Sequence, residues 1–271
     1  MASTNKQADA PTVIVTGASS GIGQATAAHL QRSGWRVFGT MRRPDPDKHG
    51  PDALTLDVTS DHSVEAAVAE VLARTGRIDA LVNNAGVGML GAVEEATVQE
   101  ALNLFQTNFF GVHRLVRAVL PAMRARKAGR LVTVGSVAGF LPTPFEAFYS
   151  ASKHALEGYC ESLDFEVRAF GIHPVLIEPG FIRTQIRSNL TRTAASIGAY
   201  AEGRERVGAS FDRGVQGGVD PIRVARVVER ALTDVRPKLR MRVGPDAHLL
   251  NLVYHHVPGA AFAAGMRQRF G

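Results

Sequence analysis

The chain has 271 residues, of which 45% are hydrophobic and 21% are charged. This composition supplies enough apolar side chains for one sizeable core and too little charge for an intrinsically disordered chain. No stretch approaches the roughly 18 apolar residues that a membrane span needs, which excludes an integral membrane protein. The formal net charge is +6, but the basic residues are scattered, so a nucleic-acid-binding protein is not predicted.

The N-terminal residues 1–11 are polar, and we expect them to form a disordered tail. They lack the apolar core of a secretory signal. Cys160 is the only cysteine, which excludes an intrachain disulfide and any cysteine-rich metal site and fits a reducing compartment. The nine histidines are scattered and indicate no metal site. The sequence therefore predicts a cytoplasmic protein without a bound metal.

Short apolar runs alternate with longer segments of helical periodicity, which is typical of βαβ units around a parallel sheet. The predicted strands are Thr12–Thr16, Val37–Thr40, Ala53–Leu56, Ala80–Val82, Leu131–Val134, Pro174–Ile177 and Leu239–Val243. The predicted helices are Ile22–Arg32, Ser63–Thr75, Val98–Arg126, Phe148–Phe170 and Pro221–Val235. No repeat or linker divides residues 12–271. They are predicted to form a single Rossmann-type α/β domain, a doubly wound parallel sheet of about seven strands with helices on both faces.

Two segments depart from this alternation. Residues 181–218 follow a predicted strand, and an excursion of this length inside a compact domain is usually disordered or a functional lid. We expect a lid over the substrate site. In the C-terminal extension, residues 245–271, the apolar spacing predicts short amphipathic helices that pack on the core or on a second subunit rather than on a membrane.

The first predicted strand leads into a glycine-rich turn that spans residues 16–23. Its glycines remove β-carbons where a pyrophosphate must approach the backbone, and the following helix offers free N–H groups and a positive dipole end. A plain tight turn is the alternative, but the position between strand and helix favours a dinucleotide site. The residues expected to contact the cofactor here are Gly17, Ser19, Ser20, Gly21, Ile22 and Gly23.

The end of the second strand bears on cofactor choice. A carboxylate there would accept a hydrogen bond from the ribose 2′-hydroxyl and repel a 2′-phosphate. The sequence instead has Arg42 and Arg43, and a guanidinium matches the geometry of a phosphate. We therefore predict NADP(H) in preference to NAD(H), with a surface arginine pair as the alternative.

Tyr149 and Lys153 stand four residues apart at the start of a predicted helix, which places both on one face. Lowering the tyrosine pKa from about 10 to about 7 requires roughly 4 kcal/mol. A cation about 5 Å away, at an effective dielectric constant near 20, supplies roughly 3 kcal/mol. The pair thus predicts a phenol with a lowered pKa that acts in general acid–base catalysis near neutral pH. Alone, this spacing occurs often by chance.

Further motifs accompany the pair in a fixed order. They are the glycine-rich turn, Asn83-Asn84-Ala85-Gly86, Asn108, Ser136 and the run Pro179 to Thr184. Together they resemble the short-chain dehydrogenase/reductase family over about residues 12–245. The stretches 38–43 and 243–247 resemble its branch that contains 17β-hydroxysteroid and retinol dehydrogenases.

This resemblance implies an NAD(P)-dependent oxidoreductase that acts on CH–OH groups. Tyr149 would be the general acid in carbonyl reduction and the base in alcohol oxidation, and Lys153 would lower its pKa and bind the nicotinamide ribose. Ser136 would bind the substrate oxygen, and Asn108 would hold a water that links Lys153 to solvent. The other cofactor contacts implied are Asp57, Val58, Asn84, Ala85, Gly86, Pro179, Gly180, Ile182 and Thr184.

Apolar residues near these motifs favour a hydrophobic ketone or secondary alcohol over a sugar. The predicted substrate contacts are Ser136, Phe140, Phe145, Tyr149, Phe181 and Ile186. Three arginines, Arg183, Arg187 and Arg192, keep a 3-oxoacyl thioester reductase open as an alternative. A catalytically idle NADP(H)-sensing protein is the alternative from another class. The resemblance also suggests a homodimer or homotetramer.

Overall fold

The computed structural model describes residues 10–185 and 190–270 of the chain. In chain order its strands are β1 (Thr12–Thr16), β2 (Arg36–Met41), β3 (Leu54–Thr55), β4 (Ala80–Asn83), β5 (Gly88–Leu90), β6 (Gly129–Val134), β7 (Ile172–Pro179), β8 (Leu190–Arg192) and β9 (Arg240–Val243). The central sheet has the order β3-β2-β1-β4-β6-β7-β9, and its neighbours pair in parallel. The predicted doubly wound sheet is thereby confirmed. Strand order reverses between β1 and β4, which opens a crevice at their carboxyl ends.

The helices cover both faces of this sheet. They are α1 (Gly21–Arg32), α2 (Pro46–His49), α3 (Asp61–Thr75), α4 (Val98–Phe105), α5 (Gly111–Arg126), α6 (Ala147–Val167), α7 (Ala201–Gln216), α8 (Pro221–Thr233), α9 (Pro245–His256) and α10 (Gly259–Phe270). Successive residues of β1 point to opposite faces. Val13 packs with Leu30 of α1 and Val228 of α8, whereas Ile14 packs with Leu156 of α6. Both faces are buried, which explains the continuous apolar runs in the sequence.

The helix predicted over Val98–Arg126 is interrupted. A π-helical turn over Gln106–Phe110 separates α4 from α5. In the segment predicted as the helix Phe148–Phe170, the α-helix ends at Val167, and the last three residues form a 3₁₀ turn. Apolar periodicity does not distinguish these variants from an α-helix, because their departures from 3.6 residues per turn are confined to a single turn.

The described part of the segment predicted as a lid is folded. It contains β8, which pairs with β5, and the sixteen-residue helix α7. The buried Glu95 anchors it, because its carboxylate accepts a hydrogen bond from the backbone N–H of Ile197 at 2.7 Å and contacts the guanidinium of Arg204. Residues 186–189 of the predicted lid, which include Ile186 and Arg187, lie outside the described residues, as do residues 1–9 of the N-terminal tail.

The C-terminal extension forms the two helices α9 and α10, as the apolar spacing predicts. Helix α9 packs on β9 and on the turn that follows Ser136. Within the described part of the chain, every helix falls short of the length or the apolar character that crossing a bilayer requires.

Candidate active site

The glycine-rich turn can be built only with glycine at key positions. Gly17 and Gly21 have φ angles of +65° and +56°, which L side chains rarely adopt. A β-carbon on Gly23 would collide with the carbonyl oxygen of Gly17, and one on Gly21 would come within 3.3 Å of the side chain of Thr184. The first turn of α1 contains no acidic residue, so its positive end is available to an anion. These residues, with Ser19, Ser20 and Ile22 beside them, fit the pyrophosphate of a dinucleotide.

Asn84 joins this turn to the loop after β4. Its side-chain amide donates to the carbonyl oxygens of Thr16 at 2.9 Å and Gly17 at 3.2 Å. In return, the hydroxyl of Thr16 accepts from the backbone N–H groups of Asn84 and Ala85 at 2.9 and 3.0 Å. The predicted cofactor residues after β4 are therefore fixed to the glycine-rich turn.

The residues predicted for the adenosine side lie together at the ends of β2 and β3. Arg42 and Arg43 are exposed. The carboxylate of Asp57 accepts from the backbone N–H and the hydroxyl of Thr59 at 2.9 and 2.7 Å. These hydrogen bonds, helped by the positive charge of Arg42, hold the pKa of Asp57 below its usual value. Val58 is buried, and its side chain packs closely against the backbone of Gly111.

Asn108 lies in the π-helical turn with 1% of its surface exposed. Its amide nitrogen donates to the carbonyl oxygen of Val87 at 2.9 Å and to the hydroxyl of Ser152 at 3.1 Å. Its amide oxygen accepts from the backbone N–H of Val87 at 2.9 Å. Both amide hydrogens are used, so only acceptor oxygens of Asn108 remain for the predicted water.

Tyr149, Lys153 and Ser136 meet where α6 crosses the end of β6. The Nζ atom of Lys153 lies 5.8 Å from the centroid of the Tyr149 ring and donates to the carbonyl oxygen of Val134 at 2.9 Å. A β-carbon on Gly86 would lie 3.9 Å from the same Nζ. The hydroxyl of Ser136 accepts from the backbone N–H of Ala138 at 3.1 Å.

The ionisation of Tyr149 differs from the sequence-based expectation. Burial and the negative charge of Glu146 raise the pKa of Tyr149 to about 12, although the hydroxyl of Ser136 acts to lower it. Burial also lowers the pKa of Lys153 to about 8. The amine is therefore less fully charged near neutral pH than a free lysine, and its effect on the phenol is smaller than the spacing alone predicts. Spacing along the helix predicted the pair but not the desolvation of both groups. In this environment Tyr149 keeps its proton at neutral pH, as a proton donor must.

The run from Pro179 to Thr184 is held by the C-terminal part of the chain. The backbone N–H of Gly180 donates to the carbonyl oxygen of Val243 at 2.9 Å, and that of Phe181 donates to the carboxylate of Asp246 at 2.6 Å. A β-carbon on Gly180 would collide with Asp246. The buried Ile182 forms a parallel bridge with Val219.

The sequence-based reasoning missed Asp246. Its signal in the sequence is the run Val243 to Ala247, which indicates a family resemblance but no contact of Asp246. The contact joins residues 65 positions apart, so local patterns cannot show it.

A cavity of about 240 Å³ opens between α6, β5, β8 and α7. Its wall combines apolar and charged side chains, namely Leu90, Glu146, Leu190, Arg192, Gly208, Phe211 and Asp212. One residue of this wall, Glu146, stands three residues before Tyr149 at the start of α6, and its charge acts to raise the pKa of the phenol. The cavity is therefore a candidate for part of a substrate site.

The three described phenylalanines predicted to contact substrate are not among the residues of this wall. Phe181 packs edge-on against Phe211, and Phe145 packs edge-on against Tyr200 at the start of α7. Phe140 packs against α9, with the guanidinium of Arg242 above its ring. Direct contact of these rings with substrate stays a prediction.

The contact between Asp246 and Phe181 yields a testable prediction. A hydrogen bond to a charged partner contributes about 1.5–3 kcal/mol, so Asp246→Ala should speed amide hydrogen exchange of residues 180–184 roughly ten- to a hundredfold. Exchange in β1 should not change. Asp246→Asn keeps an acceptor oxygen and should show a smaller effect. Equal exchange in Asp246→Ala and the unmodified chain would show that this contact does not hold the loop.

Comparisons with known proteins agree with this geometry. The short chain dehydrogenase family profile matches residues 11–195. A 3-ketodihydrosphingosine reductase of Bacteroides thetaiotaomicron is 36% identical, covering 88% of this chain and 89% of that protein. Retinol dehydrogenase 8 of Bos taurus is 38% identical, and the match covers 87% of this chain and 82% of that protein.

Solved structures extend the same comparison. A short-chain dehydrogenase from Streptomyces avermitilis superposes with a TM-score of 0.82 at 38% identity, covering 96% of each chain. A short-chain dehydrogenase/reductase from Burkholderia phymatum in complex with NAD superposes with a TM-score of 0.79 at 25% identity, covering 93% of this chain and 95% of that chain. An actinorhodin polyketide ketoreductase with NADPH superposes with a TM-score of 0.74 at 31% identity, covering 89% of this chain and 98% of that chain. The chain therefore belongs to the short-chain dehydrogenase/reductase family, oxidoreductases that act on CH–OH groups with a nicotinamide dinucleotide.

Proposed function

We propose that this enzyme interconverts a hydrophobic ketone and a secondary alcohol with NADP(H), and that Tyr149 is its general acid and base. The observation that carries the proposal is the arrangement of Tyr149, Ser136, Lys153 and Asn108 at the carboxyl end of the sheet. A sensing protein would not need a buried proton donor beside a buried amine. Leu90, Leu190 and Phe211 in the adjoining cavity support an apolar substrate.

The bound cofactor supplies the hydride that reaches the carbonyl carbon during reduction, and the protein positions the reactants and handles one proton. Tyr149 donates the proton of its hydroxyl to the carbonyl oxygen, which becomes the alcohol. Ser136 donates a hydrogen bond to the same oxygen and stabilises the negative charge that develops there. The Tyr149 phenolate then regains a proton from solvent on the side of Lys153. Oxidation runs these steps in reverse.

The preference for NADP(H) rests on the end of β2. Arg42 is exposed beside Asp57, and neither Arg42 nor its neighbours Met41 and Arg43 provide a carboxylate that would repel a 2′-phosphate. The guanidinium of Arg42 can donate two parallel hydrogen bonds to that phosphate. Arg43 is the other donor at this position.

Arg192 favours a second candidate, a 3-oxoacyl thioester reductase, because this exposed guanidinium lies on the cavity wall and can bind an acidic group of a thioester carrier. Arg183 is less available, since it pairs with Asp220 at 3.3 Å. Rates with ketones, retinoids and acyl thioesters under equal conditions distinguish the two candidates. A homodimeric or homotetrameric assembly and a cytoplasmic location stay predictions.

Tyr149→Phe tests the proton donor. The variant removes one hydroxyl and keeps the ring, so we expect ketone reduction to fall by at least about a hundredfold, the usual contribution of general acid catalysis. NADPH binding, measured by fluorescence titration, should stay within a few-fold. If the variant still turns over at the original rate, Tyr149 does not donate the proton.

Arg42→Ala tests the cofactor preference. Loss of a charge-assisted contact should weaken NADPH binding roughly ten- to a hundredfold and leave NADH binding within a few-fold. Arg124→Ala, at an exposed position near the end of α5, is the matched control. Equal losses for the two cofactors would contradict a contact with the 2′-phosphate.

A further inference from the structure

Glu146 is a buried acid that the mechanism above does not use. Only 7% of its surface is exposed, and it lies in the wall of the 240 Å³ cavity, three residues before Tyr149. It is also the residue that precedes the first turn of α6, yet its side chain makes no capping hydrogen bond to that helix. Among the described residues no donor reaches its carboxylate, and no arginine or lysine forms an ion pair with it. A buried carboxylate without a partner is unfavourable unless a ligand provides one.

The backbone next to Glu146 is strained. The preceding residue, Phe145, has a φ angle of +61°, a strained conformation for a bulky side chain. Its carbonyl oxygen accepts from the backbone N–H of Gly91 at 2.8 Å, and its ring packs under α7 at Gly203. Contacts on both sides therefore fix the turn that directs Glu146 into the cavity rather than toward solvent.

The charges around Glu146 favour a positive ligand. The exposed Arg192, a cation of the same cavity wall, forms no ion pair with Glu146, so the carboxylate of Glu146 is available to a ligand. Tyr149 lies in the first turn of α6, three residues after Glu146, and a negative charge on Glu146 opposes formation of the Tyr149 phenolate. A substrate cation placed on Glu146 would cancel that repulsion as the phenol gives up its proton.

We propose that Glu146 is a specificity-determining residue that binds the ammonium group of an amino ketone whose amine lies next to the reacting carbonyl. The apolar side chains of Leu90, Leu190 and Phe211 contact the rest of the substrate. The bonds that form are the same as in the reduction of a simple ketone. The carbonyl carbon gains a hydride, its oxygen gains the Tyr149 proton, and the ammonium does not react. This inference rests on the proposed ketone reduction.

The test compares a medium-chain linear ketone with its α-amino counterpart in the unmodified enzyme, in Glu146→Gln and in Asp212→Asn. We expect the unmodified enzyme to favour the amino ketone in kcat/KM by about tenfold or more, the value of a charged hydrogen bond. The preference should vanish in Glu146→Gln and persist in Asp212→Asn. A preference that survives in Glu146→Gln, is lost only in Asp212→Asn, or is missing from the unmodified enzyme overturns the assignment.

A binding measurement separates this inference from the proposed function. Octylamine, titrated by calorimetry, should bind the unmodified enzyme roughly tenfold more tightly than Glu146→Gln, whereas octanol should bind both equally. If neither ketone is reduced, the proposed function fails and the octylamine comparison alone decides the role of Glu146. Equal octylamine affinity in both proteins contradicts a cation site at Glu146.

Discussion

The site depends on the hydrogen bonds of one buried amide. Asn108 bonds both backbone groups of Val87 and also the hydroxyl of Ser152, so it joins the α4–α5 unit, the loop after β4 and helix α6. Ser152 in turn donates to the carbonyl oxygen of Tyr149 at 2.7 Å. A buried polar network of this kind is stabilising only when every member is satisfied, which fixes the geometry within narrow limits. The π-helical turn brings Asn108 to the position from which it makes these bonds.

Within that frame, Tyr149 lies between two buried groups of opposite character. The amine of Lys153 is held by the carbonyl oxygen of Val134, and the carboxyl of Glu146 has no bonding partner among the described residues. Burial pushes both toward their neutral forms, lowering the pKa of Lys153 to about 8 and raising that of Glu146 to about 7. Burial of the phenol itself is the largest cause of its raised pKa, so Tyr149 stays protonated at neutral pH, and we expect groups that arrive with the ligands to determine when it releases its proton.

Sequence patterns predicted the sheet well because both of its faces are buried. The bounds predicted for β1 match the structure, and the glycine-rich turn follows it as expected. Tyr149 and Lys153 were found because four-residue spacing on a helix fixes their proximity. The contacts of Glu95 with Ile197 and of Asp246 with Phe181 could not be found this way, since they join distant parts of the chain. The raised pKa of Tyr149 was also missed, because desolvation depends on packing rather than on spacing.

In the proposed function, Tyr149 and Ser136 together hold the oxygen that is reduced. A crystal structure of the enzyme with NADP⁺ and a secondary alcohol measures this directly. We expect the alcohol oxygen to lie about 3 Å from both hydroxyl oxygens, with Lys153 still bonded to Val134. An alcohol oxygen bound away from Tyr149, or a Tyr149 side chain turned from the nicotinamide ring, would contradict the account.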